Sequence, residues 1–347
     1  MKELFGTVVL ITGVLYVWPG ILTFITSLIV LFGVSFYYRR LPNGDLISGD
    51  SGKEAVLVTG CDSGFGNALA RRLTRNGFKV FAACMFPDAD GASNLKIEHP
   101  DVEILKLDVT DGDDVTRAVE YVKGFVEGKG LWALVNNAGV AQCAESEWCP
   151  ISLYQQTLDV NALGVVRMTK AFLPLIRQRK GRIVNVASLA GRFAIPGFSA
   201  YCMSKTACIA FSDSLRREMK SFGVKVVTIE PGFYKTPMVQ VQRQIDRNVE
   251  FWASAADECK RAYGDAYFNS YLDLIRKLLD TLCSANVCEV IDCIEEAVRR
   301  SEPRFHYVPN WKIELKFAIL NILPTFVCDL IASLRRPSSM PAATVKN

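Results

Sequence analysis

Six short apolar runs rich in β-branched residues alternate with longer segments of helical spacing, and this alternation limits the possible folds more than any other feature of the chain. The runs are Ala55–Thr59, Lys79–Ala83, Glu103–Leu107, Trp132–Asn136, Arg182–Val186 and Lys225–Ile229. Between them apolar residues fall three or four apart, as with Leu69 and Leu73 before Gly77, and Phe211, Leu215 and Met219 before Gly223. Nearly continuous apolar strands joined by crossover helices predict an α/β domain: a doubly wound parallel sheet, buried on both faces, over residues 54–310. Ligands of such a sheet bind beyond the carboxyl ends of its strands. From about 233 to 282 the rhythm breaks, and the segment is helical in composition and aromatic (Trp252, Tyr263, Tyr267, Phe268, Tyr271). It is read as a lid over the substrate, with an ordinary helical layer as the alternative.

The ends of the chain are apolar. No residue from Leu4 to Tyr38 is charged, a stretch longer as a helix than the roughly 30 Å core of a bilayer. Residues 1–40 are therefore expected to anchor the protein in a membrane, and 41–53 to form a linker. Pro19-Gly20 divides the stretch, so either Ile21–Tyr38 spans alone or the halves form a helical hairpin. A cleaved signal peptide is the competing reading, but the apolar region is too long and no A-x-A-like site follows it. Arg39 and Arg40 place the rest of the chain on the cytosolic face, with the endoplasmic reticulum expected and a mitochondrial membrane as the alternative. Within residues 311–347, Phe317–Val327 is apolar but too short to span; it either packs on the core or lies on a membrane surface.

The net charge of +4 is spread out, with no Lys/Arg-rich stretch able to follow a phosphate backbone, so nucleic acid is not expected as a partner. The only histidines are His99 and His306, and the 11 cysteines form no C-x-x-C pair, so no metal site is expected and the thiols are expected to be free.

Chemistry concentrates at the strand ends. The first run leads directly into Thr59-Gly60-Cys61-Asp62-Ser63-Gly64-Phe65-Gly66 and then a helical pattern. Glycines between a strand and a helix start let the backbone turn sharply and bring N–H groups against a pyrophosphate. The spacing is Gly-x-x-x-Gly-x-Gly, not the common Gly-x-Gly-x-x-Gly. Tyr201 and Lys205 are four apart, so on a helix they share one face, and the ammonium is expected to lower the phenol's pKa from about 10. Tyr201 then serves as the general acid/base, while the Ser188 hydroxyl holds the substrate oxygen. Singly these residues have ordinary explanations, such as a Ser at a helix N-cap; jointly they converge on one crevice.

At these residues the chain resembles the short-chain dehydrogenase/reductase family. The glycine turn, Asn136-Asn137-Ala138-Gly139, Asn161, Ser188, Tyr201-x-x-x-Lys205, Pro231-Gly232 and Thr236 occur in the family's order, over roughly residues 54–308. The resemblance implies a Rossmann-type sheet and a catalytic set of Ser188, Tyr201, Lys205 and Asn161, the last holding a water that relays protons from Lys205. It also implies that Thr59, Gly60, Asp62, Ser63, Gly64, Phe65, Gly66, Asp108, Val109, Asn137, Ala138, Gly139, Tyr201, Lys205, Pro231, Gly232 and Thr236 bind the cofactor, with Asp108 at the adenine or else capping the next helix. Homo-oligomers are common in the family. Cys84 stands where many NAD-using relatives carry the ribose-binding Asp, yet no Arg or Lys is placed to meet a 2′-phosphate, so NAD(H) is favoured over NADP(H).

Residues 58–66, Arg167–Arg177 and Ala210–Arg216 resemble the branch containing retinol dehydrogenases, hydroxysteroid dehydrogenases and D-β-hydroxybutyrate dehydrogenase. A membrane-tethered domain with an aromatic lid suits a lipophilic substrate of steroid or retinoid type. The alternatives are a 3-hydroxybutyrate dehydrogenase, which needs a cation such as Arg192 or Lys235 in the cleft, and a non-catalytic NAD-binding interaction protein.

Overall fold

The computed structural model describes residues 23–344, except 25, 29, 39, 42–43, 50–53, 127 and 334–335. The chain forms two compact units, Met1–Gly44 and Asp45–Asn347. In the first, the described residues between 23 and 38 are helical, with Phe24, Leu28 and Leu31 exposed. Residues 1–22, and with them half of the expected anchor, lie outside the described residues. Among the described residues no helix is long and apolar enough to cross a membrane, so the anchor remains an expectation.

The second unit is built on a seven-stranded sheet of order β3-β2-β1-β4-β5-β6-β7, parallel throughout. Its strands are β1 (Ala55–Thr59), β2 (Lys79–Cys84), β3 (Glu103–Lys106), β4 (Ala133–Asn136), β5 (Arg182–Val186), β6 (Lys225–Ile229) and β7 (His306–Tyr307). The helices of the sheet layers are α1 (Gly64–Arg75), α2 (Asp90–Glu98), α3 (Gly112–Val126), α4 (Ile151–Leu158), α5 (Val165–Arg179) and α6 (Ser199–Met219). Next come α7 (Val241–Ser254), α8 (Asp257–Leu282), α9 (Cys288–Arg299), α10 (Trp311–Leu320) and α11 (Thr325–Ser333).

Alternation along β1 shows how the sheet divides its core. Val56 and Val58 point into a cluster with Leu69 and Leu73 of α1 and Ile291 and Ile294 of α9. Leu57 points the other way, to Val122 of α3 and Met168 and Phe172 of α5. Burial on both faces explains why the strands read as continuous apolar runs, and each fully buried Leu or Phe contributes roughly 1.5–3 kcal/mol. Helix α1 buries Leu69, Ala70 and Leu73 on one stripe, places Arg72 and Arg75 in its last turn where the dipole favours cations, and gives way to β2 at Gly77, whose φ is 83°.

The six expected strands are present with ends shifted by at most one residue, and β7 is added at the edge, where two residues are too few for any pattern to reveal. Strand order reverses between β1, paired with β2, and β4, so a crevice opens at the carboxyl ends of β1 and β4.

The segment expected as a lid forms α7 and α8, the latter broken at Gly264, where φ is 76°. Its aromatic residues surround Trp148 of the β4–α4 connection: the rings of Trp252, Tyr263 and Tyr271 lie 5.3, 5.1 and 5.3 Å from the indole. Trp252 and Phe268 stack at 4.7 Å. The layer thus has its own core, which Cys143, Ala144 and Leu153 of the chain after β4 also enter. At the other end, Pro324 separates α10 from α11. Phe317 meets Phe193 edge-on at 6.0 Å, while Ile319, Ile322, Phe326 and Leu330 stay exposed.

Candidate active site

The glycine turn begins where β1 ends. Gly60, with φ 70°, stands so close to Ala138 that a Cβ would fall 2.8 Å from that residue's Cα. A Cβ on Gly66 would lie 2.3 Å from the Gly60 carbonyl oxygen. Only hydrogen fits at either place, so the turn is as tight as a phosphate cradle requires. Ser63 precedes α1 but makes no side-chain cap, leaving the first-turn N–H groups of the helix to another acceptor. Gly64, with φ 60°, faces Thr236 across the crevice, their Cβ positions 3.8 Å apart. These features fit a dinucleotide phosphate.

Several expected cofactor residues turn out to build the cradle. The buried Thr59 hydroxyl accepts from the Asn137 and Ala138 N–H groups, each at 3.0 Å, joining β1 to β4. The Asn137 side chain donates to the Thr59 and Gly60 carbonyls at 2.9 and 3.1 Å. Phe65 packs edge-on against Tyr234, and Val109 is buried in the core beside Gly164. Asp108 accepts from the Thr110 N–H and hydroxyl at 2.8 and 2.7 Å. It does not cap α3; Asp111 does, accepting from Asp113 and Asp114.

Cys84 ends β2, at the place that counting along the strand gave it. That thiol is fully buried as the last residue of β2, so it does not face the crevice. The carboxylate at this strand end comes from the glycine turn: Asp62 accepts the Met85 N–H at 3.1 Å and the Phe86 N–H at 2.7 Å.

The catalytic candidates stand beyond β4 and β5. Ser188 follows β5; its Oγ accepts from the Ala190 N–H at 3.1 Å and donates to the Pro231 carbonyl at 3.2 Å. The serine does cap a short 3-10 turn, as its ordinary reading holds, and its hydroxyl also favours the ionised form of the Tyr201 phenol. Tyr201 and Lys205 share one face of α6, with Nζ 5.7 Å from the ring centroid and donating to the Val186 carbonyl at 2.8 Å. Asn161 is fully buried in a π-helical turn, Asp159–Gly164, which widens the helix between α4 and α5. It grips both backbone groups of Val140 at 2.8 Å and donates to Ser204 at 3.0 Å. Gly139 sits between Asn161 and Lys205: its Cβ would lie 3.2 Å from the amide oxygen and 3.6 Å from Nζ.

One expectation is reversed. Burial pushes the Tyr201 phenol up to about 12, with Ser188 acting the other way, and burial also lowers the Lys205 amine. Desolvation opposes both charged forms together, so the lysine does not by itself make the phenol acidic here.

Two arrangements escaped the sequence reading. A buried chain of polar contacts links Thr169, Asn136, Asn185 and Ser212, with successive separations of 3.2, 2.8 and 2.8 Å, fixing α5 and α6 against β4 and β5. Asparagine inside a strand is the signal that points to it. The other is an ion pair: Arg192 donates to both oxygens of Glu230, at 3.0 and 2.7 Å, and Glu230 is buried. Lys235, the other candidate cation, is exposed.

Residues 54–247 match the family model described as short chain dehydrogenase. Retinol dehydrogenase 7 of Rattus norvegicus is 42% identical over 80% of this chain and 86% of its own length. The 17-beta-hydroxysteroid dehydrogenase type 6 of Bos taurus is 40% identical over 92% of this chain and 99% of its own. Among solved structures, a short-chain dehydrogenase from Streptomyces avermitilis superposes with a TM-score of 0.63 at 25% identity, covering 81% of this chain and 95% of that one.

Proposed function

The chain belongs to the short-chain dehydrogenase family and is an oxidoreductase acting on CH–OH groups, and from that premise we propose that it interconverts a hydroxyl and a carbonyl on a lipophilic, steroid- or retinoid-type molecule with NAD(H) as cofactor. The observation that carries the substrate class is the Arg192–Glu230 pair. A small hydroxy acid needs a cation in the cleft to meet its carboxylate, and Arg192 is already neutralised by a buried carboxylate. This disfavours the 3-hydroxybutyrate reading. The names of the similar retinol and hydroxysteroid dehydrogenases support the lipophilic one.

Held against the glycine turn, a bound NAD(H) would supply the acceptor or donor of the hydride. The protein supplies the rest: Ser188 aligns the substrate oxygen, Tyr201 takes or gives its proton, and Lys205 holds a positive charge near the phenol. Asn161, whose amide oxygen lies with the Lys205 amine close to Gly139, supports a proton path leading away from the amine. A catalytic set this complete argues against a purely nucleotide-binding protein. NAD(H) is preferred because the Asp62 carboxylate stands at the end of β2, where it repels a 2′-phosphate. The uncharged N-terminal stretch and the exposed apolar residues of α10 and α11 support attachment to a membrane, with the endoplasmic reticulum as the proposed site.

The test is an assay of the full chain in detergent with NAD and NADP, offering hydroxysteroids, retinol and 3-hydroxybutyrate. Turnover of a steroid or of retinol with NAD is expected. Turnover of 3-hydroxybutyrate alone, or with NADP alone, overturns the assignment.

A further inference from the structure

Two chain segments meet behind Ser188, and an ion pair closes them together. Arg192 lies four residues after Ser188, and Glu230 directly precedes Pro231. The Pro231 carbonyl receives the Ser188 hydroxyl at 3.2 Å and the Leu189 N–H at 3.0 Å, while the Ala187 N–H donates to the Ile229 carbonyl at 2.8 Å. The direction of the Ser188 hydroxyl is therefore set by the distance between the end of β6 and the loop after β5. We propose that the Arg192–Glu230 pair is a clasp that fixes this distance, making both residues positioning residues that act on the reaction through Ser188. The inference rests on the role given to Ser188 above.

The surroundings of Glu230 suit a fixed clasp more than a surface contact. Its side chain is only 4% exposed. Burial alone raises its pKa, but hydrogen bonds from His306 and Arg192 outweigh that and bring the carboxyl down to about 2. Thr228 donates to it at 3.0 Å, and His306 of β7 lies 3.3 Å away. His306 in turn faces Asp213 of α6 at 3.8 Å, and Asp213 also pairs with Arg216. One network thus joins the Ser188 loop, β6, β7 and the helix bearing Tyr201 and Lys205. An ion pair with its carboxylate buried adds little to stability over an apolar pair of similar volume, and on this proposal its use is to fix geometry.

That distinction supplies the experiment. The double variant Arg192→Met/Glu230→Leu replaces the clasp by apolar contact in the full-length chain. It is assayed with NAD and whichever panel alcohol above gives the highest turnover. We expect a melting temperature within a few degrees of wild type, NADH affinity by fluorescence titration within about twofold, and kcat lower by about 10- to 100-fold, because misplacing a reacting group by about 1 Å can cost about 100-fold. The single variant Arg192→Ala, whose side chain leaves an opening to solvent, is expected to lose kcat similarly and to regain part of it with ethylguanidinium but not ethylammonium. A folded double variant with kcat within twofold of wild type overturns the proposal, as does Arg192→Ala losing activity that ethylguanidinium does not restore. Ser188→Ala separates the two levels: full turnover in that variant defeats the site reading itself, whereas its inactivity beside an active double variant defeats only the clasp.

Discussion

The charge on Lys205 is the testable core of the catalytic arrangement. Replacing it by methionine keeps the length of the side chain and removes the charge. Taking the 5.7 Å from Nζ to the Tyr201 ring centroid as the charge separation, with an effective dielectric near 20, a unit charge is worth up to roughly 3 kcal/mol to the phenolate, or about two pKa units. Burial already holds the phenol near 12, and without the amine it rises further. Alcohol oxidation uses the phenolate, so its population falls about 100-fold at any pH below the pKa, offset in part because a weaker acid leaves a stronger base. The expected loss in kcat/KM for NAD reduction at pH 8 is therefore between about 10- and 100-fold. Carbonyl reduction at the same pH falls in parallel, since the overall equilibrium belongs to the reactants alone. Lys205→Arg keeps the charge and should lose less than Lys205→Met. Because burial lowers the amine's own pKa, its support also fades as the solution becomes alkaline. The assay is a pair of pH–rate profiles from pH 6 to 10.5, with circular dichroism melts as the folding control. A methionine variant with the wild-type rate at pH 8, or an arginine variant as impaired as the methionine one, refutes the electrostatic argument.

Three further outcomes are expected. Tyr201→Phe should abolish turnover while leaving NADH affinity within about twofold in a fluorescence titration, because the proposed role of that hydroxyl is proton transfer rather than binding. Gly66→Ala places a methyl group 2.3 Å from the Gly60 carbonyl oxygen; the same titration should show affinity lower by about tenfold or more, as the cradle must open to admit it. The Tyr271 hydroxyl is buried without a partner among the described residues, so Tyr271→Phe should raise stability in urea unfolding by about 1 kcal/mol, and a loss of that size would show that the hydroxyl is satisfied.

Much of the sheet was legible because burial on both faces leaves its mark on every strand, and β1, β5 and β6 have the limits that their residues imply. The glycine turn was legible for a related reason: positive φ and contacts below 3 Å permit little else at Gly60 and Gly66. Contacts across long separations were not. The Arg192–Glu230 pair joins residues 38 apart, and nothing in either neighbourhood announces the other. Counting along the strand put Cys84 at the end of β2, where it lies, but could not say which residue brings a carboxylate there; Asp62 arrives from another turn. Spacing put Tyr201 and Lys205 on one face but carried no information on burial, and burial reverses the sign of the phenol's shift. In α7 and α8, aromatic residues are dense enough that periodicity could not say which rings point at Trp148.

The position of β1 has a consequence for how the molecule is made. It lies inside the sheet, paired on one side with β2, which follows it closely, and on the other with β4, so that Val56 meets Ala133 only much later in the chain. At typical synthesis rates the ribosome takes roughly 4–15 s to extend the chain from one to the other. Throughout that interval an apolar strand with a bare row of amide and carbonyl groups has left the exit tunnel without its neighbour. Translation speed and chaperone supply during those seconds should thus govern the yield of soluble protein.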